Sequence, residues 1–431
     1  MNDILSEKPL SVVIHGDCVE ALGDVEGALD AIVTDPPYGL EFMGKKWDRL
    51  DWTDGGKMAS VGMGRDIPWP SYSGTGAAGT ANATCATCKG RMRGAKVCAC
   101  EKPQWRVKGK ALDGSAHTRR MQAQQAWHAR WLAAAFRALK PGGYLLAFGG
   151  TRTYHRLACA AEDVGFEIRD CIQWVYGSGF PKSKSVAMSV DKRLGKIGHR
   201  GKAFTHAGDV SHLQSMEGKA GAVGQHDGLS PEAQRWQGWQ TALKPAQEPI
   251  LVARKPLEGT VADNVLKHGT GAINVDACRV EGGRWPANLI LSQTDAEDCP
   301  VAELDRQWTD ASRFFYTPKA PKREREAGCE DLPGAQQDTT RKAGSKGGDN
   351  PRNRGAKQRK NHHPTVKPIA IMEYLLKLVV PPGGVVVDPF LGSGTTLVAA
   401  ARLGVRAVGI EREPAYIDIA KARIAHALKG E

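Results

Sequence analysis

Asp35-Pro36-Pro37-Tyr38 follows the apolar run Ala31-Ile32-Val33 and puts a carboxylate, two stiff prolines and an aromatic ring within four residues. A short β-branched run reads as a buried strand, and Pro-Pro cannot continue a ladder, so the chain turns out at the strand's carboxyl end. Open α/β sheets bind ligands at that edge. The exocyclic amine of adenine or cytosine is a poor nucleophile because its lone pair is delocalised into the ring. The Asp35 carboxylate and the Pro36 carbonyl could accept its two N–H bonds and favour a pyramidal nitrogen with the lone pair free. Pro37 stiffens the loop, and the Tyr38 ring could stack on the base, a contact worth roughly 1–3 kcal/mol.

More than 300 residues later, Val385-Val386-Val387 runs into Asp388-Pro389-Phe390-Leu391-Gly392-Ser393-Gly394-Thr395-Thr396, then the Ala-rich Leu397–Ala401. This pattern reads as strand, tight turn and helix. Gly392 and Gly394 let backbone approach a ligand, while Ser393, Thr395 and Thr396 are placed to cap the helix start. The next strand, Arg406–Ile410, delivers Glu411, a carboxylate able to hold both ribose hydroxyls of a nucleoside. Nucleotide phosphates are the rival ligand, but the turn lacks the Gly-Lys-Ser/Thr ending of a P-loop. S-adenosylmethionine fits better.

Together the two elements resemble those of a DNA amino-methyltransferase of the β class, which carries the catalytic element first and the cofactor turn last. The resemblance covers residues 9–40, 122–181, 245–256 and 361–431, and implies a discontinuous catalytic domain there. It implies an α/β fold with a Rossmann-like, doubly wound methyltransferase sheet, circularly permuted and carrying large insertions. Asp35, Pro36, Pro37 and Tyr38 would be catalytic; Asp388, Phe390, Gly392, Ser393, Gly394, Thr395, Thr396 and Glu411 would bind the cofactor. His363-Pro364-Thr365-Val366-Lys367-Pro368 resembles the segment that leads into the cofactor turn, with Lys367 near the methionine part of the cofactor. Gly16-Asp17-Cys18, after the strand Ser11–Ile14, resembles the element beside the cofactor's adenine. The implied reaction is methyl transfer from S-adenosylmethionine to the N6 amine of adenine in double-stranded DNA. Family members acting on cytosine N4 more often have Ser where this chain has Asp35. RNA and protein-glutamine methyltransferases usually have Asn there. A catalytically silent DNA-binding protein would have no reason to keep both motifs.

Composition agrees. A chain of 431 residues exceeds one compact core, and its net charge of +12 suits a polyanionic partner such as duplex DNA. No apolar run approaches the ~20 residues of a membrane span, and Met1–Lys8 has no signal-peptide pattern, so a cytoplasmic protein is expected, prokaryotic or phage-encoded by the resemblance. The resemblance also admits a homodimer and a cognate restriction endonuclease as partners.

Of ten cysteines, Cys18, Cys159, Cys171, Cys278, Cys299 and Cys329 are scattered and expected to be reduced. Cys85, Cys88, Cys98 and Cys100 form two close pairs around a basic turn, the ligand set of a structural zinc knuckle within a loop-rich insertion, 41–121. Trp47, beside Lys45 and Lys46, is a candidate DNA contact there. A helix over about Arg119–Leu139 presents Trp127, Trp131, Ala135 and Leu139 as a core stripe; Lys140-Pro141-Gly142-Gly143 should stop it, and the strand Tyr144–Phe148 follows. The strand Ile172–Tyr176 carries Trp174, and with Phe180 it borders the place where the family holds a base swung out of the duplex. Residues 182–244 read as a flexible insertion, with its four histidines as loop residues, and Glu248–Ala253 restores a strand. Residues 257–360 are expected to be a target-recognition region; 313–360 hold 13 Lys or Arg against 6 Asp or Glu, with Arg313, Lys319, Lys322, Arg323 and Arg325 as candidate phosphate contacts.

Overall fold

The computed structural model describes residues 10–39, 83–85, 105–107, 116–176, 183–195, 230–280, 283–292, 306–307, 315–317, 319–336 and 358–430. The chain forms two compact units, Gly39–His128 and the combination of Met1–Tyr38 with Ala129–Glu431. In chain order the strands are β1 (Ser11–His15), β2 (Leu29–Thr34), β3 (Ala83–Cys85), β4 (Trp105–Val107), β5 (Leu139–Phe148), β6 (Glu167–Tyr176) and β7 (Gln247–Arg254). They continue with β8 (Leu289–Ser292), β9 (Phe315–Tyr316), β10 (Ala335–Gln336), β11 (Gln358–Arg359), β12 (Val385–Asp388) and β13 (Arg406–Glu411). The larger unit holds a nine-stranded sheet in the order β1-β13-β12-β2-β5-β7-β6-β8-β9. Only β7 runs against its neighbours, pairing antiparallel with both β5 and β6. In the smaller unit β3 and β4 pair antiparallel.

Two strands far apart in sequence lie side by side at the centre. β2 and β12 are parallel neighbours, with Ala31 opposite Val386 and Ile32 opposite Val387. Both are buried along their whole length, as expected for β-branched strands covered on both faces. Polar groups close each end of the pair. Near the start, buried Asp30 accepts the Val385 N–H at 2.8 Å and the Lys140 ammonium at 2.6 Å. At the exit, the Thr34 hydroxyl donates to Asp388 Oδ1 at 2.6 Å. The permuted order follows directly, because the strand leading into Asp35 is the second in the chain and the strand leading into the glycine turn is the second to last of the described strands.

Helices cover the sheet. Ile369–Val379 buries Ile369, Ile371, Met372, Tyr374, Leu375, Leu376, Leu378 and Val379, and Thr395–Leu403 buries Leu397, Val398, Ala399 and Ala400. The helix expected near Arg119–Leu139 spans Ala116–Ala138, and Trp131, Ala135 and Leu139 of its stripe are buried. β5 begins at Leu139 rather than Tyr144, because a register irregularity against β2 absorbs Lys140–Gly143 and Gly142 takes a positive φ of 77°.

Two of the expected insertions contribute regular structure among the described residues. At the edges of 182–244, helix Val186–Arg193 packs with the short helix Pro231–Gln234, tied by the Ser230 hydroxyl donating to buried Asp191 at 2.5 Å. Within 257–360, β8 pairs parallel with β6 and β9 with β8, so these strands extend the central sheet. Among the described residues no helix is long and apolar enough to cross a membrane. The five described scattered cysteines are free thiols. The side chain of Cys85 and all of Cys88, Cys98, Cys100, Trp47, Phe180 and Arg313 lie outside the described residues.

Candidate active site

The exit of β2 positions the first half of the site. Thr34 is the last strand residue, and Pro36 and Pro37 have no N–H to extend the ladder, so Asp35 to Tyr38 leave the sheet at its carboxyl edge. The reversed strand β7 begins at that same edge, where Glu248 lies opposite Trp174 in the register. Asp35, Tyr38 and Glu248 therefore meet, and Lys367, from the His363–Pro368 segment, joins them.

Lys367 Nζ is 2.5 Å from Asp35 Oδ2 and 3.3 Å from Glu248 Oε2, and donates to the Tyr38 hydroxyl at 3.2 Å. The ammonium also lies 4.8 Å from the Phe148 ring centroid and 5.4 Å from that of Tyr38, an additional cation–π attraction. The resemblance placed the segment holding Lys367 near the cofactor's methionine end, and in the structure its charge is set against Asp35. The reason is electrostatic: an ammonium only 9 % exposed needs counter-charge, and two carboxylates stand within reach. Burial opposes the charged ammonium, but Asp35 and Glu248 hold Lys367 above its ordinary value. Burial pushes the Asp35 carboxyl up while Lys367 pulls against it. Burial would raise Glu248 as well, yet Lys367 and Lys319 bring it below its usual value. Asp35 Oδ1 is buried with no hydrogen-bond partner among the described residues.

The second half is built on β12. Asp388 is buried and accepts from Thr34 and the Phe390 N–H (3.1 Å) on one oxygen and from the Thr396 hydroxyl (2.5 Å) on the other. Burial raises its carboxyl to about 6, against the pull of those three donors. Gly392 and Gly394 both adopt left-handed φ, 54° and 83°. A Cβ at Gly392 would come 2.8 Å from His363 Nε2, and one at Gly394 would come 2.9 Å from the Ala420 methyl. The Glu411 carboxylate accepts the Gly392 N–H at 2.7 Å and the Glu413 N–H at 2.8 Å, which pins the turn to the end of β13. Burial raises Glu411. Asp17 caps the helix Cys18–Ala21 by accepting the Val19 N–H at 2.8 Å, and Phe390 packs edge-on against Trp131.

The hydroxyls of the turn do not cap its helix. Gly394 is the cap residue and no side chain completes it. Thr396 is occupied with Asp388. Ser393 and Thr395 face buried Arg423, whose Nη1 donates to the Ser393 carbonyl at 2.7 Å and to both hydroxyls at 3.1 Å. Sequence reasoning missed Arg423, Glu248 and Tyr176, whose hydroxyl donates to Glu248 Oε1 at 3.2 Å. A carboxylate at the head of the apolar strand Glu248–Ala253 was the available signal for Glu248. Trp174 is core: it is buried and its indole N–H donates to Ser292 at 2.8 Å. Of the basic candidates, Lys319 Nζ sits 3.6 Å over the Tyr176 ring, Arg325 donates to the His363 carbonyl at 3.1 Å, and Lys322 is exposed.

The DNA methylase family model, covering N6 and N4 amino-methyltransferases, matches residues 29–422. The chain belongs to this family of S-adenosylmethionine-dependent DNA amino-methyltransferases. It is 24 % identical over 406 residues to the type II methyltransferase M.HindIII of Haemophilus influenzae, covering 92 % of this chain and 89 % of that protein. A shorter match, 45 % over 62 residues, joins 14 % of this chain to 23 % of the type II methyltransferase M2.DpnII of Streptococcus pneumoniae. Among solved structures, the cytosine-N4-specific PvuII DNA methyltransferase aligns with a TM-score of 0.43 at 14 % identity, covering 98 % of this chain and 94 % of that one.

Proposed function

We propose that this protein transfers a methyl group from S-adenosylmethionine to the N6 amine of adenine in double-stranded DNA. The observation that carries the reading is the state of Asp35: Lys367 holds Oδ2, while the buried Oδ1 has no hydrogen-bond partner among the described residues. A buried acceptor of that kind is costly unless a ligand completes it. One N–H of the target amine would do so, with the Pro36 carbonyl taking the other and Tyr38 stacking on the ring. The amine nitrogen then attacks directly, without a covalent enzyme intermediate, so catalysis is orientation and electrostatics. Asp at position 35, rather than Ser, supports adenine over cytosine.

The turn fits the cofactor on the geometry already given. Left-handed Gly392 and Gly394 keep the backbone bare, and Glu411 stands at the end of β13 where ribose hydroxyls would be held. Phe390, Ser393, Thr395, Thr396 and Asp388 shape the turn, and Asp17 is assigned to the adenine end. The bound cofactor would supply an electrophilic methyl on a sulfonium. Asp35 and Glu248 both reach the ammonium of Lys367, and Lys319 also acts on Glu248, which leaves Asp35 Oδ1 as the carboxylate oxygen available to a cationic donor.

Tritiated methyl incorporation into unmethylated genomic DNA tests the assignment. Asp35→Ala should lower transfer by about 10²–10³-fold, the scale of losing one oriented polar group at a reacting centre. Label persisting at the parent rate would defeat the catalytic role. Digesting the product to nucleosides separates N6-methyladenine from N4-methylcytosine. Residues 257–360 are assigned to target recognition, and Cys85, Cys88, Cys98 and Cys100, as four soft donors in two close pairs, to one structural zinc. Metal analysis of the parent beside Cys85→Ser and Cys98→Ser tests the zinc. A second copy of the chain and a cognate endonuclease remain the partners to be assayed, by sedimentation and by protection of methylated DNA from cleavage.

A further inference from the structure

Glu248 takes no part in accepting the amine, yet both its oxygens are engaged inside the site. Oε1 accepts the Tyr176 hydroxyl at 3.2 Å, and Oε2 accepts the Tyr38 hydroxyl at 3.2 Å and lies 3.3 Å from Lys367 Nζ. It is therefore closed as an acceptor where Asp35 is open. The ammonium of Lys367 has three N–H donors, and Asp35 Oδ2, the Tyr38 hydroxyl and Glu248 Oε2 lie within reach of them.

Removing Glu248 from this set leaves Asp35 as the near counter-ion of a buried ammonium. The cation would then be drawn fully onto the Asp35 carboxylate and compete for Oδ1, the atom the amine needs. We propose that Glu248 is a positioning residue for methyl transfer: it divides the charge of Lys367 between two carboxylates and fixes the Tyr38 hydroxyl, so that Lys367 steadies Asp35 without occupying Oδ1. This rests on the reading of Asp35 as the amine acceptor. The reversed direction of β7 makes the arrangement possible, because it brings the start of that strand to the edge where β2 and β6 end.

A simpler role, a hydrogen-bond post for two tyrosines, predicts a different response to substitution. Glu248→Gln keeps one acceptor oxygen, replaces the other with an NH2 that a tyrosine hydroxyl can accept from, and removes the charge. Tyr176→Phe removes one hydrogen bond and keeps the charge. The charged and titratable groups facing Asp35 are Lys367, Tyr38, Glu248 and Asp388, with Lys319 beyond Glu248. Burial pushes the Asp35 carboxyl up most, and among these groups Glu248 adds to that push while Lys367 and Tyr38 oppose it, so neutralising Glu248 moves Asp35 down.

The experiment measures methyl transfer to unmethylated genomic DNA against pH, together with equilibrium binding of S-adenosylmethionine, for the parent and both variants. Glu248→Gln should lower kcat about tenfold or more while cofactor affinity stays within about twofold, the split expected when an interaction at the reacting centre is lost. Its acid limb should move to lower pH, and that of Tyr176→Phe should stay with the parent. Retained cofactor binding shows that the variant is folded. An active parent with Glu248→Gln matching it in kcat and acid limb overturns the inference alone, as does a Tyr176→Phe limb displaced equally. A parent that methylates no DNA overturns the proposed function and this inference with it.

Discussion

Thr34→Val tests the join between the two halves of the site. The substitution keeps the β-branched shape of a strand residue and deletes only the hydroxyl that donates to Asp388 Oδ1 at 2.6 Å. Both residues are buried, at 0 % and 3 % exposed, so water does not replace the lost donor. A hydrogen bond to a charged group contributes about 1.5–3 kcal/mol, and the loss of Thr34 should cost about that at pH 7. The cost depends on pH with a definite sign. Burial raises Asp388 from 3.8 in the open chain to about 6, so its contribution to stability is fully present below 3.8 and is lost as pH rises through 6. The Thr34 donor is one of the groups holding that value down, so the variant's carboxyl rises further. Parent and variant should therefore differ most above pH 7 and converge toward pH 5, where both carry a protonated Asp388. Urea unfolding at the two pH values measures the gap as the change in midpoint times the slope of the transition. A gap below about 0.5 kcal/mol at pH 7, or one that fails to narrow at pH 5, would refute the reasoning.

The turn and the carboxylate give two further expectations. Gly392→Ala forces a left-handed φ of 54° on a residue with a Cβ only 2.8 Å from His363 Nε2, so S-adenosylmethionine should bind about tenfold more weakly or worse, the equivalent of the ~1–3 kcal/mol such a conformation costs; unchanged affinity by calorimetry would show that the turn is not the cofactor cradle. Because burial holds Asp35 above the ordinary 3.8, and the carboxylate form accepts the amine, kcat should fall as pH drops through a value above 3.8, and Asp35→Asn should lose that limb. A parent whose rate is flat down to pH 4 would remove Asp35 from the proton account.

How far the sequence could be read depended on whether chemistry lay along the chain or across it. β2 and β12 were legible because uninterrupted β-branched runs ending in proline or glycine leave few alternatives to a buried strand with an exposed turn. Their adjacency was implied by the order of two motifs, and the Thr34–Asp388 contact across 354 positions is its physical form. Glu248 was only faintly legible, as a carboxylate heading an apolar strand, because its importance comes from the reversal of β7, and nothing local announces the direction in which a strand enters a sheet. β9 was hidden in a basic stretch where charge dominated the composition, whereas Leu289–Leu291 is apolar enough to read as a short strand and lies in β8 beside β6. Lys367 shows the limit most clearly. Its segment marked it as part of the site, but which group a lysine serves is decided by the counter-charges that surround it after folding. Asp35 and Glu248 come from two different strands' ends, and only their meeting at one edge of the sheet sets the partners of the ammonium.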